Sequence, residues 1–237
     1  MRTFLKLIVI ACLPLLIASC DRVRGNKKVT IEQRSIAAAE KLNVNGSMDV
    51  IITQGDSPSL SVEAEENLQQ YIITEVRNNT LDIRFKNGTS IRAYKPIRIK
   101  VTLPLITSIA LNGSGSVISN NKFTGASATH LNVSGSGDIR LTVNTPLVEA
   151  DVTGSGDVFV AGETQQVNIH LSGSGDVNTE KLMAENATVS LVGSGDIKVF
   201  ADVELKADVS GSGDVRYKGN ATVNSNIHGS GSVRKIN

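Results

Sequence analysis

Along most of the chain, apolar residues return at every second position on either side of a short glycine turn. Leu131 and Val133 precede one such turn, and Ile139 and Leu141 follow it. Val152 with Val158 and Val160, Leu191 with Ile197 and Val199, and Val209 with Val215 repeat the arrangement. A period of two predicts strands with one buried face. The polar residues between them, among them Asn132, Arg140, Thr142, Lys198 and Arg216, fall on the opposite, solvent face. No segment of helical length carries a 3.6-residue apolar period, so the chain is predicted to be essentially all-β.

The turns are copies of one another. Gly-Ser-Gly begins at positions 113, 135, 154, 173, 193, 211 and 229, at spacings of 18 to 22 residues. The five inner copies continue with Asp138, Asp157, Asp176, Asp196 and Asp214, whereas the outer two continue with Ser116 and Ser232. Ends that differ from the middle are typical of repeat arrays. Each repeat supplies a short strand, a glycine turn, a second short strand and a polar return loop. One unit cannot close a core, but stacked units bury a continuous column of Val, Ile and Leu at about 4.8 Å per layer. The predicted fold is a single-stranded parallel β-helix or solenoid-like stack, with a β-sandwich as the alternative. Absence of Trp suits a narrow aliphatic interior.

The first half is less regular. Leu42 to Val50 nevertheless follows the template of Leu131 to Ile139, broken only by Met48, and reads as a diverged copy whose third turn position no longer requires Gly. Alternation at Leu81-Ile83-Phe85 and at Ile97-Ile99-Val101-Leu103 predicts further strands, the second bounded by Pro96 and Pro104. Asn78-Asn79 suits a hairpin turn, and Glu65 to Tyr71 a helical turn.

The N-terminus has a different character. Arg2 and Lys6 precede an apolar stretch from Leu7 to Ile17, the plan of a secretory signal. A transmembrane helix is the competing reading, but the stretch is short and Pro14 interrupts it. Ile17-Ala18-Ser19-Cys20 resembles the lipobox of bacterial lipoproteins. That resemblance implies cleavage before Cys20 and its acylation, with Cys12 lost in the signal. No intrachain disulfide and no zinc or Cys-nucleophile chemistry is then available. Asp21 to Lys28 is polar, with Arg22, Arg24, Lys27 and Lys28, and is expected to be a tether of roughly 15 Å reach. A plain solvated linker is the favoured reading; contact of its basic residues with anionic head groups, at about 1 kcal/mol each, is the alternative. The chain divides into signal peptide (1–19), lipidated Cys and tether (20–28), an irregular β part (29–110) and a regular repeat part (111–237).

The net charge of +1 and the 3% aromatic content exclude the basic, stacking surfaces that nucleic acid requires. Glycine at both ends of the turn permits positive φ, and the following Asp can accept backbone N–H bonds to close the corner. The sharper alternative is chemical. Carboxylates stacked about 5 Å apart repel by about 1 kcal/mol per pair even in water, and calcium held by Asp138, Asp157, Asp176, Asp196 and Asp214 would relieve this. The spacing departs from the calcium-binding Gly-Gly-x-Gly-x-Asp repeat, and the expectation is no cofactor. Phosphate cradling is discounted because no Lys-Ser or Lys-Thr follows the glycines. His130, His170 and His228 stand at different offsets from the turn and read as surface strand residues.

Asn45-Gly46-Ser47-Met48-Asp49-Val50, the passage from Leu103-Pro104-Leu105 to Gly113-Ser114-Gly115-Ser116, and the Gly-Ser-Gly-Asp copies together resemble the head GIN domain family, described as putative auto-transporter adhesins. The resemblance runs from Ile31 to Val233 and implies a β-helix-like stack with an adhesive role and no catalytic residues. The functional expectation is a non-enzymatic, lipid-anchored envelope module that binds a protein or a glycan. It would sit at the outer membrane, facing the periplasm or the cell surface. A polysaccharide-active β-helix enzyme and a purely structural periplasmic spacer are the alternatives.

Overall fold

The computed structural model describes residues 21–237. Its N-terminal part contains β1 (Asp21–Arg24), β2 (Val29–Arg34), β3 (Lys41–Gly46), β4 (Asp49–Gln54), β5 (Ser59–Glu65), β6 (Ile72–Arg77), β7 (Thr80–Phe85), β8 (Thr89–Arg92) and β9 (Arg98–Leu103). A 3-10 turn (Glu66–Tyr71) joins β5 to β6. The repeats then supply β10 (Ser108–Gly113), β11 (Ser116–Thr124), β12 (Ala128–Gly135), β13 (Asp138–Asn144), β14 (Leu147–Gly154), β15 (Val158–Gly173) and β16 (Val177–Gly193). They end with β17 (Ile197–Phe200), β18 (Glu204–Gly211), β19 (Asp214–Lys218), β20 (Thr222–Gly229) and β21 (Ser232–Lys235).

These strands form a β-solenoid of about 6 turns, the predicted stack rather than a sandwich. Two parallel ladders make its walls. Strands that enter the glycine turn order as β7, β3, β10, β12, β14, the latter halves of β15 and β16, β18 and β20. Those that leave it order as β9, β4, β11, β13, the first halves of β15 and β16, β17, β19 and β21. The first glycine of every turn pairs with that of the next, from Gly46 and Gly113 through to Gly211 and Gly229. The segment 42–50 is therefore a genuine rung in register, although it lies outside the Gly-Ser-Gly count.

Between the walls the inward residues stack by rung. Leu131, Ala150, Ile169, Val189 and Ala207 form one buried column, and Ile139, Val158, Val177, Ile197 and Val215 another. One continuous buried cluster runs from Ala39 to Val215, so the division at residue 110 crosses a single core. Its buried members begin at Ala39, with the partly buried Ile36 packed against them.

The turn explains its own composition, and differently from the expectation. Only the first glycine has a left-handed φ, as at Gly173 (φ 141) and Gly211 (φ 134). The third-position glycine is required by space instead. A Cβ on Gly175 would stand 2.0 Å from the carbonyl oxygen of Gly156 in the rung below, and one on Gly213 would stand 1.9 Å from that of Gly195. Met48 is tolerated because it occupies this position in the first turn of the column. Its fully buried side chain fills the base of the stack beside Gly46, near Phe85.

At the N-terminal end, antiparallel strands close the walls: β6 along β7 on one side, and β5 with β2 along β9 on the other. The β6–β7 hairpin turns at Asn78 (φ 48) and Asn79 (φ 61), the positive-φ pair that a two-residue hairpin loop needs. Pro96 and Pro104 bracket β9 as expected.

Two local expectations are corrected. The return is not a polar loop in the middle rungs, since β15 and β16 run through the corner. The corners are held by buried threonines. Thr145 donates its hydroxyl to the carbonyl of Ala126 (3.1 Å), and the Thr164 hydroxyl lies within hydrogen-bond reach of the carbonyls of Pro146 (3.1 Å) and Gln166 (2.9 Å). Nor does the stretch from Asp21 behave as a tether, because β1 pairs in parallel with β8, Arg22 opposite Ser90 and Arg24 opposite Arg92. Its polarity hid this, since only Val23 marks the inward face.

Candidate functional site

The turn-leaving wall carries the molecule's most differentiated surface. After four of the turns the Asp carboxylate reaches the next rung. Asp157 Oδ1 accepts the backbone N–H of Asp176 (2.9 Å), Asp176 Oδ1 that of Asp196 (3.0 Å), and Asp196 Oδ1 that of Asp214 (3.0 Å). Asp214 Oδ1 then accepts both the N–H (3.1 Å) and the hydroxyl (2.7 Å) of Ser232. At the other end Ser116 donates its hydroxyl to Asp49 Oδ1 (2.9 Å). These five carboxylates thus each tie their own rung to the next.

Two residues further along, the outward side chains align into a row: Arg140, Phe159, Asn178, Lys198, Arg216 and Arg234. Guanidinium groups in this row neutralise the carboxylate column. Arg216 pairs with Asp196 (3.0 Å) and Asp214 (3.2 Å), Arg234 with Asp214 (3.1 Å), and Arg140 with Asp138 (3.4 Å). The Ser232 hydroxyl bond above all holds the Asp214 carboxyl below its usual range; desolvation opposes it, and the Arg234 charge and the Arg216 contacts add to the lowering. The five aspartates predicted as candidate ligands thus occupy one column, and their Coulomb repulsion is met by arginines and backbone N–H groups. Among the described residues no group of three or more His, Cys, Asp or Glu side chains is arranged to hold a metal ion.

Where the row meets Phe159 the wall opens into a groove of about 400 Å³, lined by Ser119, Arg140, Thr142, Phe159, Asn178 and Lys181, among others. The Arg140 guanidinium lies over the Phe159 ring, 4.8 Å from its centroid. Register irregularities flank the groove. Ile118 and Lys122 of β11 face Arg140 and Thr142, while Asn178 and Lys181 of β16 face Phe159 and Ala161. Such irregularities are common beside binding sites. Alternation alone places Phe159 on the solvent face between Val158 and Val160, and an aromatic at an outward position was the available signal for this groove.

The wall entering the turn is polar and flatter. His130, His170 and His228 are exposed on it, as predicted. His130 Nδ1 lies 2.5 Å from Glu149. Cys20, the predicted acylation site, lies outside the described residues. Among those described, no helix is long and apolar enough to cross a membrane.

The family model described as putative auto-transporter adhesin, head GIN domain, matches residues 39–221. The chain belongs to the head GIN domain family. Its matched span runs from the first buried residue of the core to the last return corner, so the family pattern is the solenoid itself. Solved structures agree with this head GIN assignment. A putative adhesin from Parabacteroides distasonis is 27% identical, with a TM-score of 0.81, over 91% of this chain and 100% of its own. A putative lipid binding protein from the same species is also 27% identical, with a TM-score of 0.77, over 92% and 100%. A putative adhesin from Bacteroides fragilis shares the fold at 23% identity and a TM-score of 0.84, over 90% and 100%. No match is found among curated proteins.

Proposed function

We propose that this head GIN domain is a non-enzymatic adhesin-like module of the bacterial envelope, lipid-anchored at Cys20 in the outer membrane, that binds a glycan or an envelope protein along its turn-leaving wall. One observation carries the reading: the groove at Phe159, where an aromatic face, the Asn178 amide and the Arg140 and Lys181 cations converge on a rigid wall. Its volume falls at the lower end of the range for small-ligand sites, which suits one or two sugar units or a protruding side chain. The naming of the family and of its structural neighbours as adhesins supports the same class of role.

Carboxylates near the groove favour binding over hydrolysis. Asp176 and Asp196 use one oxygen each to hold the following rung, and Glu180 pairs with Lys218 (3.6 Å). The column is accordingly read as structural, with no cofactor.

The test is a glycan array together with capture from envelope extract, using the wild-type chain and the variants Phe159→Ala and Asn178→Ala. Retention of a partner by the wild type and its loss in both variants is the expected result. A wild type that holds nothing at micromolar concentration, or variants that bind equally well, would overturn the reading.

A further inference from the structure

The segment that leads out of the predicted acyl anchor is clamped to the N-terminal cap, and the clamp is specific. Glu65, fully buried, accepts backbone N–H groups from Lys27, Tyr94 (2.8 Å) and Lys95 (3.4 Å). Asn67 accepts the N–H of Asn26 (2.9 Å) and donates to the carbonyl of Arg24 (2.8 Å). Gly25 donates to the carbonyl of Arg92 (3.0 Å). The described chain is therefore held to the body of the protein from β1 onward.

In the β1–β8 ribbon, Ile91 packs against the core, so Val23, its register partner, shares that side. Arg22, Arg24 and Arg92 fall on the opposite, outward side and are exposed. Beside them Lys27 and Arg92 stand over the ring of exposed Tyr94, at 5.1 Å and 5.9 Å from its centroid. Lys95 is exposed as well. Among the described residues none of these five cations takes part in an ion pair. Glu66 pairs instead with Lys28 (3.0 Å), and Glu65 is held by the backbone. A cationic surface with an amphipathic aromatic at its centre is left facing away from the core.

We propose that this face, Arg22, Arg24 and Arg92 with the Lys27–Tyr94 stack, seats the N-terminal cap of the solenoid directly on an anionic bilayer surface. The orientation rests on acylation of the residue just before β1, and the charge complementarity is independent of it. A lipid at position 20 leaves the ribbon no room to stand off from the head groups. Guanidinium groups then meet lipid phosphates, Tyr94 lies at head-group depth, and the rungs rise away from the membrane.

The test uses the unacylated chain Asp21–Asn237, which contains the whole buried cluster, with vesicles of phosphatidylcholine alone or mixed with phosphatidylglycerol. One basic side chain at an anionic surface raises partitioning about fivefold. The variant Arg22→Gln/Arg24→Gln/Arg92→Gln should therefore bind mixed vesicles about a hundredfold less than the wild type. Salt near 1 M, where the screening length is about 3 Å, should erase the wild type's preference. Arg77→Gln/Lys206→Gln/Lys235→Gln, exposed positions elsewhere on the surface, should change little. Should the triple variant lose β1, the single Arg92→Gln on β8 still reads about fivefold. Equal losses in both triple variants, no preference for mixed vesicles, or displacement by inorganic phosphate at constant ionic strength would overturn the proposal. Mass spectrometry of the mature N-terminus tests the anchor separately, and a chain without lipid would leave the vesicle result standing.

Discussion

Replacing Gly175 by alanine should damage the solenoid far more than its place in a surface turn suggests. Its φ lies outside the left-handed region, so alanine meets no backbone penalty there. The added Cβ would stand 2.0 Å from the carbonyl oxygen of Gly156, and both atoms are backbone-bound, so no side chain can swing aside. Relief requires the two rungs to part by more than an ångström. That lengthens the bonds donated by Ser174 to Gly154 (2.9 Å) and by Asp176 to the carboxylate of Asp157 (2.9 Å). Overpacking costs about 1–3 kcal/mol, and the weakened bonds, one to a charged acceptor, add about 2 kcal/mol. A loss of about 4 kcal/mol lowers Tm by roughly 8–16 °C for a domain of this size. Gly88 is the control: its φ is +76° and a Cβ there meets nothing within 4 Å. Alanine at position 88 should cost about 1 kcal/mol. Thermal melts and urea midpoints of the two variants decide the matter. If Gly175→Ala melts with the wild type, or Gly88→Ala is the worse of the two, crowding between rungs is not what demands glycine.

Met48→Gly restores the repeat template yet should destabilise by about 3 kcal/mol, because it empties the fully buried base of the column; urea denaturation reads this directly. Asp176→Ala, which orphans the N–H of Asp196, should cost about 2 kcal/mol, and Asp176→Asn less because an acceptor oxygen remains. Since the carboxylates already have protein partners, millimolar calcium or chelator should leave Tm unchanged, and a rise with calcium would contradict the structural reading of the column. The folded-state pKa of Asp214 is depressed, so its contribution is fully present above the ordinary Asp value of about 3.9 and disappears as pH falls through the lower folded value. Below that value wild type and Asp214→Asn should converge in Tm, having differed at pH 5. Glu65→Ala leaves its N–H donors unpaired, and hydrogen exchange at Lys27, Tyr94 and Lys95 should accelerate while the middle rungs keep their protection.

The repeat was legible because its constraint is local: glycine spacing, alternation and the Asp that follows each turn all lie within about ten residues of one another. Even the irregular rung at Leu42 to Val50 was readable, its single departure at Met48 explained by position in the stack. What escaped depends on distant pairing. β1 reads as polar linker because its partner β8 lies more than 60 residues away in sequence. Glu65 looks like a surface acid until three backbone N–H groups from other segments converge on it. The run of β15 and β16 through the return corner depends on rungs above and below, and the groove on register slips that periodicity averages away.

The glycine register has a consequence for how such a molecule changes in size. A single inserted residue in a strand would swap its inward and outward faces, and a side chain in the turn column would strike the rung beneath. An added or lost stretch from one turn to the next disturbs neither. Length is therefore free to vary in one step only, a whole rung of about 4.8 Å. Duplication or loss of one repeat in the gene alters the distance between the two ends of the stack and leaves the chemistry of the remaining wall as it was.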